Sequence, residues 1–174
     1  MAKSEFEKLS GLKKGKKIGS GVYGGVYEIV GKPKLVVKQQ KVVYFRREVP
    51  LSIIMSRKKI IPKVHNVFQG NKYGYIVQER YDGTLANLMD RKVKNTPGVD
   101  KNGRPTAKTY KALQRVIKRM HSLGFLHMNL HANNVAPNHS FSIFGDRVGK
   151  ACGQGQGLFA GRMHEPVVEC TNPR

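Results

Sequence analysis

Alternation of apolar and polar positions predicts β-strands in the first half of the chain. Within residues 17–39, apolar segments at 26–30 and 35–37 flank the turn-forming sequence Gly31-Lys32-Pro33-Lys34. Segments 64–68 and 73–78 repeat this arrangement on either side of Gly70-Asn71-Lys72. The pattern therefore predicts two strands, a hairpin into a third strand, and then two more strands.

The second half of the chain has the helical period instead. Residues 109–122 place one apolar stripe opposite a basic face, with Gly124 as a natural end; the stripe is Tyr110, Leu113, Val116, Ile117 and Met120. A short helix at 84–89 would be capped by Thr84, and residues 92–105 are expected to form an exposed loop. Strands first and helices second predict an α+β fold.

Length and composition limit the number of domains and the cellular compartments that we expect for this protein. The 174 residues fit one domain or one compact two-lobed domain. No apolar run approaches the ~20 residues of a membrane helix, and the N-terminus has no apolar signal core. Cys152 and Cys170 do not form a disulfide framework, which favours reduced thiols. We expect an intracellular protein, cytoplasmic or nuclear, that is not secreted and has no membrane partner.

The net charge of +21 predicts attraction to polyanions, which include nucleotides, acidic proteins and nucleic acids. Aromatic residues make up only 8% of the chain and are not interleaved with the basic residues as in single-strand binders. Two alternatives remain at this point: a solvated basic surface with nonspecific, salt-sensitive polyanion binding, and dedicated nucleic-acid binding.

The sequence GSGVYGGV contains the candidate phosphate-binding chemistry. Gly19, Gly21, Gly24 and Val26 fit the pattern G-x-G-x-x-G-x-V, and the residues that follow are strand-forming. A glycine loop between two strands is the protein-kinase arrangement, whereas a dinucleotide fold continues into a helix. Lys38 ends the apolar run 35–37, where an isolated buried charge would be unfavourable without an anionic partner. Phosphate and a glutamate would supply such partners.

From about residue 14 to about residue 149, these motifs together resemble the eukaryotic protein kinase family. The resemblance implies a two-lobed fold with an antiparallel N-lobe and a reduced, mainly helical C-lobe. It also implies ATP as the cofactor. YIVQERYDGTL resembles the segment joining the lobes, with Gln78 as gatekeeper. The nucleotide-binding residues implied are Gly19, Ser20, Gly21, Val22, Gly24, Val26, Lys38, Glu48, Gln78, Glu79 and Tyr81.

HMNLHANN matches the family's catalytic loop H-R-D-L-x-x-x-N at His127, Leu130 and Asn134. The position of the catalytic Asp is taken by Asn129, and that of the Arg by Met128. An amide has the shape of a carboxylate but no basic lone pair at neutral pH, so Asn129 cannot serve as a general base.

The metal-binding segment of the family should follow Asn134 by about a dozen residues. One register places Arg147 at the metal position, where a cation would repel Mg²⁺. A register shifted by one residue offers Asp146 as a ligand together with Asn134. The resemblance thus implies Mg²⁺ only in the second register.

The family's glutamate partner for the lysine corresponds to Glu48 in FRREVPLSII. Pro50 disfavours helical geometry at Val49, which predicts a helix that starts at Pro50 and leaves Glu48 just outside it.

Three domain segments are predicted: a polar lead-in at 1–12, a kinase-like N-lobe at 13–81 and a truncated C-lobe at 82–174. The favoured function is a pseudokinase that binds ATP, transfers little or no phosphate and acts through an acidic protein partner. The alternatives are an active Ser/Thr kinase with a protein substrate and a nucleic-acid-binding protein on a kinase-like scaffold.

Overall fold

The computed structural model describes residues 3–21, 23–81, 83–90, 98–127 and 130–136, and the backbone of 142–143 and 148–150. The chain divides into two compact units, Met1–Asp82 and Gly83–Arg174. Strands and helices occur in both, and the α+β class is confirmed. In the described part of the chain, every helix is too short or too polar to cross a bilayer.

Unit 1 contains a five-stranded antiparallel sheet with strand order β1-β2-β3-β5-β4. Its strands are β1 (Lys14–Gly21), β2 (Gly24–Ile29), β3 (Leu35–Lys41), β4 (Val64–Gln69) and β5 (Tyr73–Glu79). They match the strands expected from the alternation, with ends within a few residues. Gly31, with φ of 74°, forms the predicted turn between β2 and β3 in a conformation that favours glycine.

One face of this sheet, the packed face, holds a core cluster of unit 1 that includes helix α1. Tyr27, Val37, Tyr75 and Val77 pack there beneath Phe6 of helix α1 (Glu5–Ser10). Residues 1–12 were interpreted from sequence only as a polar lead-in, so the contribution of this segment to the core was missed. Phe6 is 1% exposed, and its ring contacts Tyr75 with centroids 5.2 Å apart.

The opposite face, the Lys38 face, carries the side chains of Val26, Lys38, Gln40 and Ile76, because directly opposed residues on neighbouring strands share a face. Helix α2 (Val42–Arg57) packs here. Phe45 of α2 lies against Gly74 so closely that a Cβ at Gly74 would overlap its ring.

Unit 2 is built around helix α4 (Ala107–Ser122), which Thr106 caps by accepting the Thr109 N–H. Its buried residues are Thr109, Ala112, Val116 and Met120. The predicted stripe was therefore wrong at Tyr110, which is 56% exposed. The buried face of the helix is rotated toward Thr109 and Ala112. Gly124 follows the helix with φ of 75°, as predicted for its C-terminal end.

Helix α3 (Leu85–Asp90) is the predicted short helix, and Thr84 accepts the Asn87 N–H at its start. Two short antiparallel ladders complete the described part of unit 2. They pair β6 (Phe125–His127) with β9 (Val148–Lys150), and β7 (Val135–Ala136) with β8 (Ser142–Ile143).

Candidate nucleotide-phosphate site

The glycine cluster forms the tip of the β1–β2 hairpin, where Gly21 pairs with Gly24. Gly24 is required by packing, since a Cβ there would overlap the carbonyl oxygen of Gln39 on β3. The lack of a side chain at this position lets β2 approach β3 closely. Close packing against β3 therefore explains why position 24 of the hairpin is a glycine.

Gly19 and Gly21 are different. A Cβ at Gly21 would meet nothing within 4 Å, and one at Gly19 would make only ordinary contact with Val26, 3.5 Å away. Neither residue has a positive φ. Packing and backbone conformation in unit 1 therefore do not explain these two glycines. Gly19 lies opposite Val26, on the face that carries Lys38.

Lys38 lies in the middle of β3, between Val26 on β2 and Ile76 on β5. Its Nζ donates to both carboxylate oxygens of Glu48, at 2.7 and 2.9 Å. The two side chains are 19% and 12% exposed, so the pair is largely shielded from water. A shielded ion pair of this geometry fixes the position of the ammonium group.

Glu48 lies inside α2, which corrects the prediction that the helix starts at Pro50 and excludes it. Pro50 cannot donate to the carbonyl of Arg46, a loss that commonly breaks a helix. Both residues lie on the exposed side of α2, where water can satisfy that carbonyl. Buried Phe45 lies one turn before Glu48 and anchors the helix, so tertiary packing overrides the local preference of Pro50.

The glycine hairpin also contacts α2 directly. The rings of Tyr23, at the hairpin tip, and Tyr44, in the first turn of α2, lie with centroids 4.7 Å apart. The signal in the sequence that could have suggested this contact is a tyrosine between glycines. The hairpin and the helix that carries Glu48 are thereby connected.

The segment predicted to meet adenine follows on β5. Gln78 lies opposite Val36, on the Lys38 face. The N–H of Glu79 donates to Lys63 and that of Arg80 to Lys34, each at 2.9 Å. The Tyr81 hydroxyl donates to the Glu79 side chain at 3.4 Å. Two N–H groups of this segment are thus engaged within unit 1, and an adenine would have to bond other backbone groups.

In unit 2, part of the catalytic-loop motif is described. His131 accepts the Asn133 N–H on Nδ1 at 3.3 Å, and its Nε2 lies 3.2 Å from the Asn134 amide. The atom of Asn134 at this distance is the amide nitrogen Nδ2, and the donor and acceptor roles in the contact depend on the tautomer of the imidazole ring. The contact brings His131, which has no assigned role in the sequence motif, beside Asn134, the predicted metal ligand.

The remaining predicted residues, Val22, Met128, Asn129, Asp146 and Arg147, lie outside the described residues. Among residues that are described, no three His, Cys, Asp or Glu side chains are grouped to hold a metal ion.

Gln40 is a further residue that the sequence analysis missed. It lies two positions after Lys38 on the same face, is 1% exposed, and neither its amide oxygen nor its amide nitrogen has a hydrogen-bond partner. An unsatisfied buried amide typically reduces stability by about 1–3 kcal/mol. The sequence alone does not distinguish a strand glutamine that is buried without a partner from one that is hydrogen-bonded.

A depression of about 340 Å³ lies elsewhere in unit 1, at the β2–β3 turn. It includes Arg80 and Glu28, which form an ion pair at 3.0 Å. Because these charges satisfy each other and the depression contains neither the hairpin tip nor Lys38, it is not the candidate site.

The chain matches no protein-family model and no curated protein sequence.

Proposed function

We propose that this protein is a kinase-like, two-lobed nucleotide-binding protein whose unit 1 binds the phosphates of ATP. We propose further that it transfers little or no phosphate and acts through protein partners, as a pseudokinase. The Lys38–Glu48 ion pair on the glycine-hairpin sheet is the single observation that carries this proposal.

The ion pair supports nucleotide binding for a chemical reason. An ammonium group has three N–H donors, and the two oxygens of Glu48 engage two of them. The third donor is available to a phosphate oxygen, and the fixed side chain loses little entropy on binding. A structural ion pair alone would not require the neighbouring glycines.

Gly19 and Gly21 supply the second element of the argument. The missing side chain at Gly21 leaves open space on the Lys38 face of the hairpin, and a Cβ at Gly19 would make only ordinary contact with Val26. Backbone N–H groups bare of a Cβ can approach anionic oxygens closely. An anion on this face would meet the ammonium group and the hairpin backbone together.

The absence of phosphotransfer rests on the sequence of the catalytic loop. Asn129 stands where the family has its base, and an amide cannot accept the hydroxyl proton of a substrate. The register that places Arg147 at the metal position would also remove a Mg²⁺ ligand, because a cation there repels the metal. Loss of both features would leave binding without chemistry.

The binding proposal is tested by thermal unfolding with and without ATP, in the presence of Mg²⁺ or of EDTA. At an ATP concentration of 100 times the Kd, binding should stabilise the protein by about 2.7 kcal/mol. Lys38→Met should abolish the ATP-induced shift in Tm, while the matched variant Lys34→Met, at an exposed lysine just before β3, should keep it. Equal shifts in the two variants would refute the proposal.

The catalytic part is tested by radiolabel transfer from ATP to a generic basic protein. We expect no transfer by the unaltered chain and none of note by Asn129→Asp, because the metal position is also altered. Robust Mg²⁺-dependent transfer by Asn129→Asp would contradict this expectation. Transfer by the unaltered chain that Lys38→Met removes would favour the active-kinase alternative.

A further inference from the structure

Helix α4 carries a one-sided basic stripe, formed by Lys108, Lys111, Arg115, Lys118 and Arg119, all exposed. At 100° per residue these positions fall within an arc of about 100°, and at 1.5 Å per residue they extend for about 16 Å. The rest of the exposed surface of α4 is occupied by uncharged side chains such as Tyr110 and Gln114 and by His121.

The sequence and the described residues place few carboxylates near the lysines of the stripe. The sequence has no acidic residue between Asp100 and Asp146. Lys108, Lys111 and Lys118 form no ion pair with any residue that the structure describes. Asp100, the nearest acid before the helix, accepts the N–H groups of Asn102 and Arg104 instead.

The fold of unit 2 does not explain the stripe. Helix α4 packs through Ala112, Val116 and Met120 on its other side. Like charges four residues apart, such as Lys111 and Arg115, destabilise a helix by about 0.2–0.5 kcal/mol per pair. The stripe therefore weakens the isolated helix slightly.

The chemistry of the stripe favours a phosphate backbone over a protein. Protein interfaces are depleted of lysine and centre on buried apolar or aromatic anchors, whereas three of these five cations are lysines. Tyr110 is the large apolar or aromatic residue of α4 that is exposed. A single aromatic ring does not make a stacking platform for single strands.

We propose that the basic stripe of α4 is a binding surface for the phosphate backbone of double-stranded nucleic acid, independent of base sequence. A duplex carries about one negative charge per 1.7 Å of its axis, so 16 Å offers a phosphate to each cation. The stripe belongs to unit 2 and Lys38 to unit 1, and the proposal does not depend on nucleotide binding.

The test compares two variants that each lose four positive charges. The stripe variant changes Lys108, Lys111, Arg115 and Lys118 to Gln, and the control changes the exposed unit 1 residues Lys13, Lys16, Lys32 and Lys34 to Gln. Gln and Lys have similar helix propensities, so circular dichroism should be unchanged. Affinity for a 20-base-pair duplex is measured by fluorescence anisotropy at several salt concentrations.

We expect the stripe variant to reduce the slope of log K against log salt by about 3 to 4, and the control to reduce it by less than 1. Equal losses in the two variants would overturn the proposal, because binding would then follow total charge. Tighter binding of a polyglutamate peptide than of the duplex would also overturn it and would indicate an acidic protein partner.

A second measurement uses the unaltered chain, so the proposal stays testable if the stripe variant does not fold. Lysine acetylation is followed by mass spectrometry with and without duplex. Bound duplex should protect Lys108, Lys111 and Lys118 at least threefold more than Lys32 and Lys34. Uniform protection would refute the assigned surface.

Discussion

The two faces of the unit 1 sheet differ in whether their polar side chains have hydrogen-bond partners. The packed face joins Phe6 to the side chains of β2, β3 and β5, and its polar groups have partners: Gln39 accepts from Lys14 at 2.5 Å, and Tyr75 donates to Glu5 at 2.9 Å. The Lys38 face carries an ion pair, an unpartnered amide at Gln40 and open space beside Gly21.

On the proposed function, the packed face contributes mainly stability and the Lys38 face binds the nucleotide. Satisfied polar groups and dense packing stabilise the packed face. A buried amide without a partner is unfavourable for folding, and such a feature is commonly retained where a ligand binds. Substitutions on the two faces should therefore separate stability from nucleotide binding.

The largest effect should come from Phe6→Ala on the packed face. Removal of this fully buried ring should lower the free energy of unfolding by about 3–5 kcal/mol, measured by urea denaturation. The matched variant Leu9→Ala, at a 42% exposed position of the same helix, should change it by less than about 1 kcal/mol. Similar losses in both variants would mean that α1 does not anchor the sheet in solution.

On the Lys38 face, Gly24→Ala should mainly reduce stability, whereas Gly21→Ala should mainly reduce ATP binding. Gly24→Ala should destabilise the protein by about 2–3 kcal/mol, since the new Cβ overlaps Gln39 backbone. Gly21→Ala should leave stability within about 0.5 kcal/mol. It should nevertheless reduce the ATP-induced Tm shift, because the methyl group occupies space proposed for phosphate. An ATP-induced Tm shift in Gly21→Ala as large as in the unaltered chain would contradict the proposed division of stability and binding between the faces.

Gln40→Met should increase the free energy of unfolding by about 1 kcal/mol, since an apolar side chain of similar size replaces an unsatisfied amide. The control is Gln39→Met, on the packed face, which removes the hydrogen bond from Lys14 and should lower stability. Both are measured by urea denaturation. A loss of stability in Gln40→Met would show that the amide has a partner in solution, such as a buried water.

The smallest effect should be a pH dependence at Glu5. The Asn71 N–H, followed by the Tyr75 hydroxyl, lowers the pKa of Glu5 below 4.5. A lowered pKa in the folded state contributes stability that is full above 4.5 and is lost as the pH falls through the folded value. The difference in unfolding free energy between the unaltered chain and Glu5→Gln should therefore be present at pH 7 and shrink below pH 4.5.

The control for this prediction is Tyr75→Phe, which removes one of the two main donors to Glu5. In that background the pH-dependent part of the Glu5→Gln effect should be smaller. A difference that stays constant between pH 7 and pH 3 would contradict the assignment. Burial, and then the bond to Glu5, raises the pKa of Tyr75, so this hydroxyl stays protonated throughout the range.

Much of the candidate site was accessible from the sequence because its parts are local. The glycine pattern and the strand that carries Lys38 lie within about twenty residues, and alternation predicted both strands. The placement of Glu48 was not accessible. Pro50 was given too much weight, since its local preference is small beside the burial of Phe45, Ser52 and Met55 in the same helix.

The amino-acid sequence by itself determined the strands of the sheet, the helix at 107–122 and the residue types available for binding. Periodicity reports these because each depends on neighbours a few positions away. Only the tertiary structure decided that Glu48 meets Lys38, that Phe6 completes the core and that Gln40 is buried without a partner. Those outcomes depend on contacts between residues distant in sequence, and a local pattern contains no information about which distant side chain will be met.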